Sequence, residues 1–152
     1  MRVEKQYTFT VDQETLWNLI LDPTVISKVL PGVQKIEAVG PDEYNLTASV
    51  GVGPVRGSFS GYVKISQKEP PRRYRLQTEM RGGPGFVRGE GEVELVPADG
   101  RTTLVFRGDI VIGGTLASVG QRLLDATATM LMDQGFKSLE AEIRSRLQNR
   151  PA

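Results

Sequence analysis

The sequence predicts an α+β fold, in which a curved antiparallel sheet of seven strands wraps one long carboxy-terminal helix and two short helices separate the first two strands. Apolar residues alternate with period two from Gln34 to Ile112, and glycine and proline turns divide this stretch into six strands. A helical pattern of apolar residues then runs from Thr115 to about Gln148. We expect a single domain over residues 1–148 and a frayed tail over residues 149–152.

The composition removes several classes of function. The 152 residues include no cysteine and no histidine, which excludes a disulfide framework, a thiolate zinc site, a cysteine nucleophile and every histidine-based catalytic pair. A net charge of +1 provides no general attraction for nucleic acid, which we do not expect as a partner. The sequence begins without an apolar run of signal-peptide length, and no stretch is long and apolar enough for a membrane span, so we predict a cytoplasmic protein.

Local signals mark the two short helices. A first strand is predicted from Arg2 to Val11, and Asp12 is a suitable N-cap for the helix that follows it. Asp22-Pro23 ends that helix. A second helical piece then runs to Leu30-Pro31-Gly32, where proline and glycine interrupt the chain.

Turn sequences indicate how the later strands pair. Asp99-Gly100 is a strong two-residue hairpin signal, and closing it pairs Leu95 with Leu104 on the inner face. Closing the preceding hairpin at Gly83-Pro84 sets opposite charges against each other on the outer face. These outer pairs are Arg73 with Glu94, Arg75 with Glu92 and Glu79 with Arg88, and the inner pair is Tyr74 with Val93. We interpret the clustered glutamates at 90, 92 and 94 as a charged outer surface in preference to catalytic acids.

Glycine positions predict a cavity between the sheet and the long helix. Gly57, Gly61, Gly89 and Gly91 fall on the inner face of their strands, where glycine commonly marks a bend or the close approach of another group. Inner glycines in a curved sheet leave space beneath the helix, unless large neighbours fill it. We expect a mainly apolar ligand cavity. Its predicted lining is Leu30, Phe59, Leu76, Met80, Phe86, Phe106, Ile110, Leu116, Gly120, Leu123, Thr127 and Met130.

The loops of a meander gather at two ends, and one of these ends is glycine-rich and apolar and lies beside the start of the long helix. Such loop tips are typical of a mobile entrance to a binding site. We expect Phe86 and Leu116 at the rim of this entrance. The predicted mouth consists of Pro31, Val52, Gly53, Gly83, Gly85 and Gly114.

No catalytic site and no metal site is predicted. The polar side chains that are expected to face inward are Tyr7, Tyr44, Tyr74, Thr78 and Thr127. Buried tyrosines usually anchor a hydroxyl at the edge of a core, and we favour this role over proton transfer. A tyrosine within hydrogen-bond reach of an acid inside the cavity would favour an enzyme, whereas a lining of apolar groups alone would favour a carrier.

Four segments, in their order along the chain, resemble the carbon monoxide dehydrogenase G-subunit family. They are Asp22-Pro-Thr-Val-Ile-Ser-Lys-Val-Leu-Pro-Gly32, Val52-Gly-Pro-Val-Arg-Gly-Ser-Phe-Ser-Gly61 with Pro70-Pro71 beyond it, Gly85-Phe-Val-Arg-Gly-Glu-Gly91, and Gly108-Asp-Ile-Val-Ile-Gly-Gly-Thr-Leu-Ala-Ser-Val-Gly-Gln-Arg122. The resemblance covers residues from about 3 to 147. It implies the helix-grip fold of START-like and Bet v 1-like ligand-binding domains, a superfamily that includes polyketide cyclases.

The resemblance also implies a function. It implies a non-catalytic accessory of a molybdenum hydroxylase of the carbon monoxide dehydrogenase type, which recruits that enzyme to the membrane and binds a hydrophobic quinone. We therefore expect a hydrophobic small molecule, a quinone or a lipid, as ligand and no other cofactor. The expected partners are a molybdenum hydroxylase complex and, by peripheral contact, the inner face of the membrane. Some members carry a carboxy-terminal membrane anchor, and because this sequence ends at Ala152 without one, we expect a soluble carrier.

Two alternatives remain open. An enzyme of the polyketide cyclase or dehydratase type, acting on a hydrophobic substrate, would share this fold, and fold alone does not separate the two functions. A protein-binding adaptor with a filled core would instead use Phe86 and the neighbouring loop tips as its interface.

Overall fold

Seven antiparallel strands form one sheet in the computed structural model, which describes residues 1–53 and 55–148 apart from the side chains of Val52 and Gln148. The strands are β1 Arg2–Phe9, β2 Val33–Gly40, β3 Glu43–Val52, β4 Val55–Glu69, β5 Arg73–Gly82, β6 Gly85–Ala98 and β7 Arg101–Gly113. Their order is β1-β7-β6-β5-β4-β3-β2, so six strands form a meander and β1 pairs with the last of them. The predicted fold class is confirmed, and the predicted tail over 149–152 lies outside the described residues.

Each short helix begins at an aspartate. The helices are α1, Gln13–Ile20, and α2, Pro23–Val29. The carboxylate of Asp12 accepts a hydrogen bond from the Thr15 amide at 3.1 Å, which confirms the predicted N-cap. The carboxylate of Asp22 accepts a hydrogen bond from the Thr24 amide at 2.9 Å. Asp22 therefore follows α1 and is also the N-cap of α2. Such a cap contributes about 1 kcal/mol to helix stability.

The predicted continuous helix from Thr115 is wrong at its start. A 3-10 helix, Gly114–Val119, comes first, and the long helix α3, Gln121–Gln148, begins after Gly120, whose φ of +99° is in the left-handed region. The Thr115 hydroxyl does not cap a helix but donates to the carbonyl oxygen of Pro84 at 2.9 Å. The Leu116 amide donates to the same oxygen at 2.7 Å. These two bonds hold the chain against the β5–β6 turn, so it must change direction before α3 can start.

The predicted strand registers are confirmed. Leu95 pairs with Leu104, and Tyr74 pairs with Val93. The three opposite-charge pairs that the β5–β6 hairpin was expected to form are also adjacent: Arg73 with Glu94, Arg75 with Glu92, and Glu79 with Arg88. The glutamates of β6 lie on the outer face of the sheet, where Arg73 approaches Glu92 and Arg107 approaches Glu94, each at 3.7 Å. Surface pairs of this kind stabilise a fold by at most about 1 kcal/mol.

Two groups of buried residues occupy opposite ends of the concave face, the face of the sheet that carries Tyr74, Val93 and Leu104. The larger core cluster joins α1, α2 and the second half of α3 to strand ends near the β6–β7 turn, and includes Leu16, Trp17, Val25, Leu95, Leu104, Leu139 and Ile143. The smaller core cluster consists of Val55, Phe59 and Leu116 and packs against partly buried Val50, Met80, Val87, Ile112 and Val119. The two clusters therefore hold α3 at its second half and the 3-10 helix at the other end.

The buried face of α3 is shifted by one residue from the predicted face. Leu123 was expected to face inward, but 37% of its surface is exposed, whereas the neighbouring Leu124 is 8% exposed. Leu147, near the end of the predicted helical pattern, is also 41% exposed. The prediction extended one helical face from the residues before Gly120 into α3, and the break at this glycine removes that continuity.

Candidate functional site

The middle of the concave face is apolar and only partly buried. We call the side chains of Val63, Leu76, Thr78, Met80, Val87, Phe106, Ile110 and Ile112 the central concave surface; all are of intermediate exposure. They lie between the two core clusters and contact one or the other at their margins. On the helix, Ala128 and Leu131 are also only partly buried, although Leu124 before them and Leu139 after them are buried. An apolar surface that keeps this accessibility between two sealed ends is a candidate ligand site.

Glycines contribute to this surface in two different ways. Gly89 is buried, and a Cβ added there would be in ordinary van der Waals contact with Thr78 Cγ2 at 3.4 Å and Ile110 Cγ1 at 3.8 Å. Phe106, in contrast, covers Gly91 and Gly108, because a Cβ on either would be 3.0 Å from its ring. A Cβ on Gly61 would be 1.8 Å from the Glu79 carbonyl oxygen, so that glycine serves the contact between two strands. Phe106 therefore fills the space over two of the inner glycines, and the predicted cavity stays a prediction.

The hydroxyls near the central concave surface are bonded to the protein itself. Thr78 donates to the carbonyl oxygen of Tyr62 at 2.7 Å, and Thr127 on α3 donates to that of Leu123 at 2.9 Å. Burial raises the pKa of Tyr74 above its ordinary value, which keeps the phenol neutral. The surface therefore offers a ligand mainly hydrocarbon.

A tyrosine does meet an acid, at the edge of the sheet. Tyr7 on β1 donates its hydroxyl to the carboxylate of Asp133 on α3, and its ring stacks on Phe136 with centroids 3.8 Å apart and an interplanar angle of 21°. Burial, followed by the bond and the charge of Asp133, raises the pKa of Tyr7 to about 12. A phenol with this pKa transfers its proton poorly near neutral pH. The geometry suits an anchor that fastens the middle of α3 to β1.

Most predicted lining residues are on the concave side, but Phe86 is not. Residues placed there are Phe59, Leu76, Met80, Phe106, Ile110, Leu116 and Thr127. Phe86 lies on the convex face, because its neighbour Val87 packs into the smaller core cluster. Its ring covers Gly113, and the guanidinium carbons of Arg81 and Arg88 lie 5.2 and 5.4 Å from the ring centroid. The period-two alternation that placed Val87 inward excludes Phe86 from a site on the same face.

Other predicted lining residues lie in surface grooves or turns. Met130 lies in a groove along α3 with Asp125, Thr129 and Asp133. Leu30 and Pro31 line a second groove, between the α2–β2 connection and α3, and Leu30 is 40% exposed. Gly120 is in the turn before α3, where an added Cβ would meet nothing within 4 Å. The structure does not bring these residues together with the central concave surface.

Two of the predicted mouth residues contact each other, and two others lie in open turns. Gly85 and Gly114 touch, since a Cβ on Gly114 would be 2.7 Å from the Gly85 Cα, and this contact joins the β5–β6 turn to the 3-10 helix. Gly83 and Gly53 are in open turns, where an added Cβ would meet nothing within 4 Å. The side chain of Val52 lies outside the described residues, and the assignment of a mouth stays a prediction.

The sequence analysis missed three residues of α3, namely Leu124, Leu131 and Asp133. Leu124 could have been found only by placing the break at Gly120. Asp133 is 126 residues from Tyr7, so no local pattern signals their pairing.

Among the described residues, no three acidic side chains converge as a possible metal site. No helix in the described part of the chain has the length and apolarity needed to cross a membrane.

Solved structures with the same architecture come from several bacteria. A conserved protein from Geobacillus kaustophilus superposes with a TM-score of 0.92 at 30% sequence identity, covering 95% of this chain and 96% of that one. A START superfamily protein from Mycobacterium smegmatis gives 0.75 at 15% identity, covering 95% and 97%. The Zhui aromatase/cyclase from a Streptomyces species gives 0.73 at 17% identity, covering 97% and 95%. The last two likenesses show the START-like fold alone.

Comparison at the level of sequence families is more specific. A search of curated proteins finds no match. The family model of the carbon monoxide dehydrogenase G-subunit (CoxG) matches residues 6–144, which is most of the chain and includes β1, the meander and nearly all of α3. The protein therefore belongs to the CoxG family.

Proposed function

We propose that this protein binds a hydrophobic small molecule between the concave face of the sheet and α3, without catalysing a reaction. The observation that carries the proposal is the central concave surface, where apolar side chains stay partly accessible although both ends of the same face are buried. An apolar pocket with few free polar groups is the usual site for such ligands. The CoxG family and the START-like fold support the same class of function.

The site that we propose differs from the predicted lining where the structure requires it. It leaves out Leu30, Phe86, Gly120, Leu123 and Met130, and it adds Thr78, Gly89, Leu124 and Leu131. The glycine-rich tips at Gly83 and Gly114 remain the proposed entrance, and Leu116, which is buried in the smaller core cluster, would have to move for a ligand to pass. The proposed lining is therefore Phe59, Leu76, Thr78, Met80, Gly89, Phe106, Ile110, Leu124, Thr127 and Leu131.

The proposed ligand is a quinone or a lipid, and the proposed role is that of an accessory to a molybdenum hydroxylase of the carbon monoxide dehydrogenase type. The family name supports this role. A carrier of this kind would act in the cytoplasm, with peripheral contact at the membrane when it exchanges its ligand.

Solvent extraction tests the binding function. Protein purified from its native host is extracted with chloroform and methanol, and the extract is analysed by mass spectrometry. Protein stripped in this way, refolded and checked by circular dichroism, is then offered decylubiquinone in equilibrium dialysis. We expect one hydrophobic compound per chain in the extract and saturable uptake by the stripped protein. Empty native protein that also takes up no decylubiquinone would contradict the proposal.

A cyclase or dehydratase is the second candidate, because the Tyr7–Asp133 bond is the kind of pair that such an enzyme would need. The raised pKa of Tyr7 argues against it. Tyr7→Phe separates the two functions. In an enzyme, Tyr7→Phe would abolish turnover of an aromatic polyketide substrate but leave its binding intact. In a carrier whose α3 is anchored by this bond, Tyr7→Phe would alter the exchange of ligand, and neither wild type nor variant would show turnover.

A further inference from the structure

One lysine faces the concave side of the sheet. Along β1 the residues that share this side are Val3 and Phe9, both buried, and Tyr7, which packs on the larger core cluster. Lys5 lies between them in the same alternation, and its partner across the ladder is Phe106 of the central concave surface. Directly opposed residues of an antiparallel pair point to the same face. Lys5 is of intermediate exposure.

Lys5 is the one charged residue on this face among the described residues that have a ladder partner. The other charged residues with partners lie on the convex face, as Glu4 and Arg107 do, which approach each other to 3.4 Å. The Lys5 side chain forms no ion pair or hydrogen bond with any described residue. Asp133, the acid that reaches β1 from α3, accepts the Tyr7 hydroxyl instead.

An unpaired ammonium group beside an apolar surface depends on water for its solvation. A hydrophobic ligand that covered the central concave surface would remove part of this water, and the loss of solvation of a charge is costly unless a partner of opposite sign replaces it. A carboxylate on the ligand would be such a partner, since ammonium and carboxylate form a short, strong hydrogen bond. The position of Lys5 at the edge of the apolar surface suits a ligand with a hydrocarbon body and an acidic head.

Resting on the proposed function, we propose that the ligand is an amphipathic acid of the fatty-acid class and that Lys5 binds its carboxylate while the hydrocarbon lies along the central concave surface. The competing explanation is that Lys5 protects an edge strand. β1 lies at one edge of the sheet, and an inward-pointing charge on an edge strand discourages pairing with another chain. That explanation predicts no effect of Lys5 on ligand preference.

Fluorescence titration with cis-parinaric acid and with its methyl ester distinguishes these explanations. The two probes share one polyene chain and differ in the charge of the head. We expect wild-type protein to prefer the acid by roughly 10-fold or more, as for a hydrogen bond between charged groups. Lys5→Met should remove the preference, and Lys5→Arg should keep it. Lys64→Met removes the same charge from an exposed residue on the convex face and should leave the preference unchanged.

Each remaining outcome also decides the question. If wild-type protein binds the acid and the ester equally, or if Lys5→Met keeps the preference, the role of Lys5 is wrong and the proposed binding function stands. If neither probe binds but decylubiquinone is taken up, the fatty-acid ligand is wrong and the binding function stands; if decylubiquinone is not taken up either, the binding function fails as well. Thermal unfolding is recorded for every variant, and Lys5→Gln replaces Lys5→Met if the latter is unfolded at the titration temperature.

Discussion

The hydroxyl of Tyr7 donates to the carboxylate of Asp133 and so joins the first strand to the middle of the last helix, across 126 residues of sequence. Tyr7→Phe removes this bond but keeps the stacking on Phe136. We expect the free energy of unfolding to fall by about 1 kcal/mol, the usual contribution of one hydrogen bond. Urea denaturation followed by circular dichroism measures it. Asp133→Asn, which keeps an acceptor, is the control with the smaller expected effect, and an unchanged midpoint for Tyr7→Phe would show that the bond contributes nothing.

The same bond predicts a pH dependence. The pKa of Tyr7 is raised from 10.0 to about 12 in the folded protein, so the folded state holds this proton more tightly than the unfolded chain does. The resulting stability is fully present below pH 10 and is lost as the pH rises through about 12. The difference in unfolding free energy between wild type and Tyr7→Phe should therefore shrink over that interval. Urea denaturation at a series of alkaline pH values measures it, and a difference that stays constant up to pH 12 would contradict the assignment.

Two glycines near the ends of the first half of α3 should respond oppositely to alanine. A Cβ on Gly135 would contact the Pro31 Cδ and the Val29 carbonyl oxygen at 3.7 Å, an ordinary distance. Gly135→Ala should raise the free energy of unfolding by up to about 1 kcal/mol through helix propensity. Gly120→Ala is the matched change; its Cβ meets nothing, but the φ of +99° should cost about 1 kcal/mol or more. Thermal denaturation of both variants checks the signs, and stabilisation by Gly120→Ala would contradict the described turn.

Phe86 and Phe106 should differ in their effect on ligand uptake. Phe106 covers Gly91 and Gly108 on the concave face, whereas Phe86 lies between two arginines on the convex face. Phe106→Ala should change the affinity for decylubiquinone and lower the free energy of unfolding by about 3 kcal/mol, because it leaves a cavity in a partly buried site. Phe86→Ala should leave the affinity unchanged. Equilibrium dialysis measures both, and loss of uptake in Phe86→Ala would restore that residue to the site.

The parts of the fold that could be predicted are those with local causes. The turn at Asp99-Gly100 requires residues that tolerate left-handed backbone, and both have positive φ in the structure, so the β6–β7 register followed from two residues. Asp12 could likewise be recognised as a cap from its position before an apolar helical pattern. These signals act within a few residues and need no knowledge of the rest of the chain.

The errors have causes that lie far apart in the sequence. The start of α3 is displaced because Thr115 and Leu116 bond to Pro84, more than 30 residues earlier. The exposure of Leu123 follows from that displacement. Phe86 was placed in the cavity because it lies at a loop tip, although the alternation of β6 already assigned it to the convex face. Strand alternation is thus the more reliable guide to the lining of this site, and it also identifies Lys5.

Filling the proposed binding space with a large side chain should block it. Ile110→Trp places an indole on the central concave surface beside Gly89, and Val111→Trp places the same group one residue along β7, on the convex face where Val111 is 54% exposed. Uptake of decylubiquinone by both variants is measured by equilibrium dialysis, after circular dichroism has shown that both are folded. We predict that Ile110→Trp weakens binding at least 10-fold, roughly the 1.4 kcal/mol that defines such a change, while Val111→Trp binds as wild type does. Equal binding by wild type and both variants would contradict a ligand site between the sheet and α3.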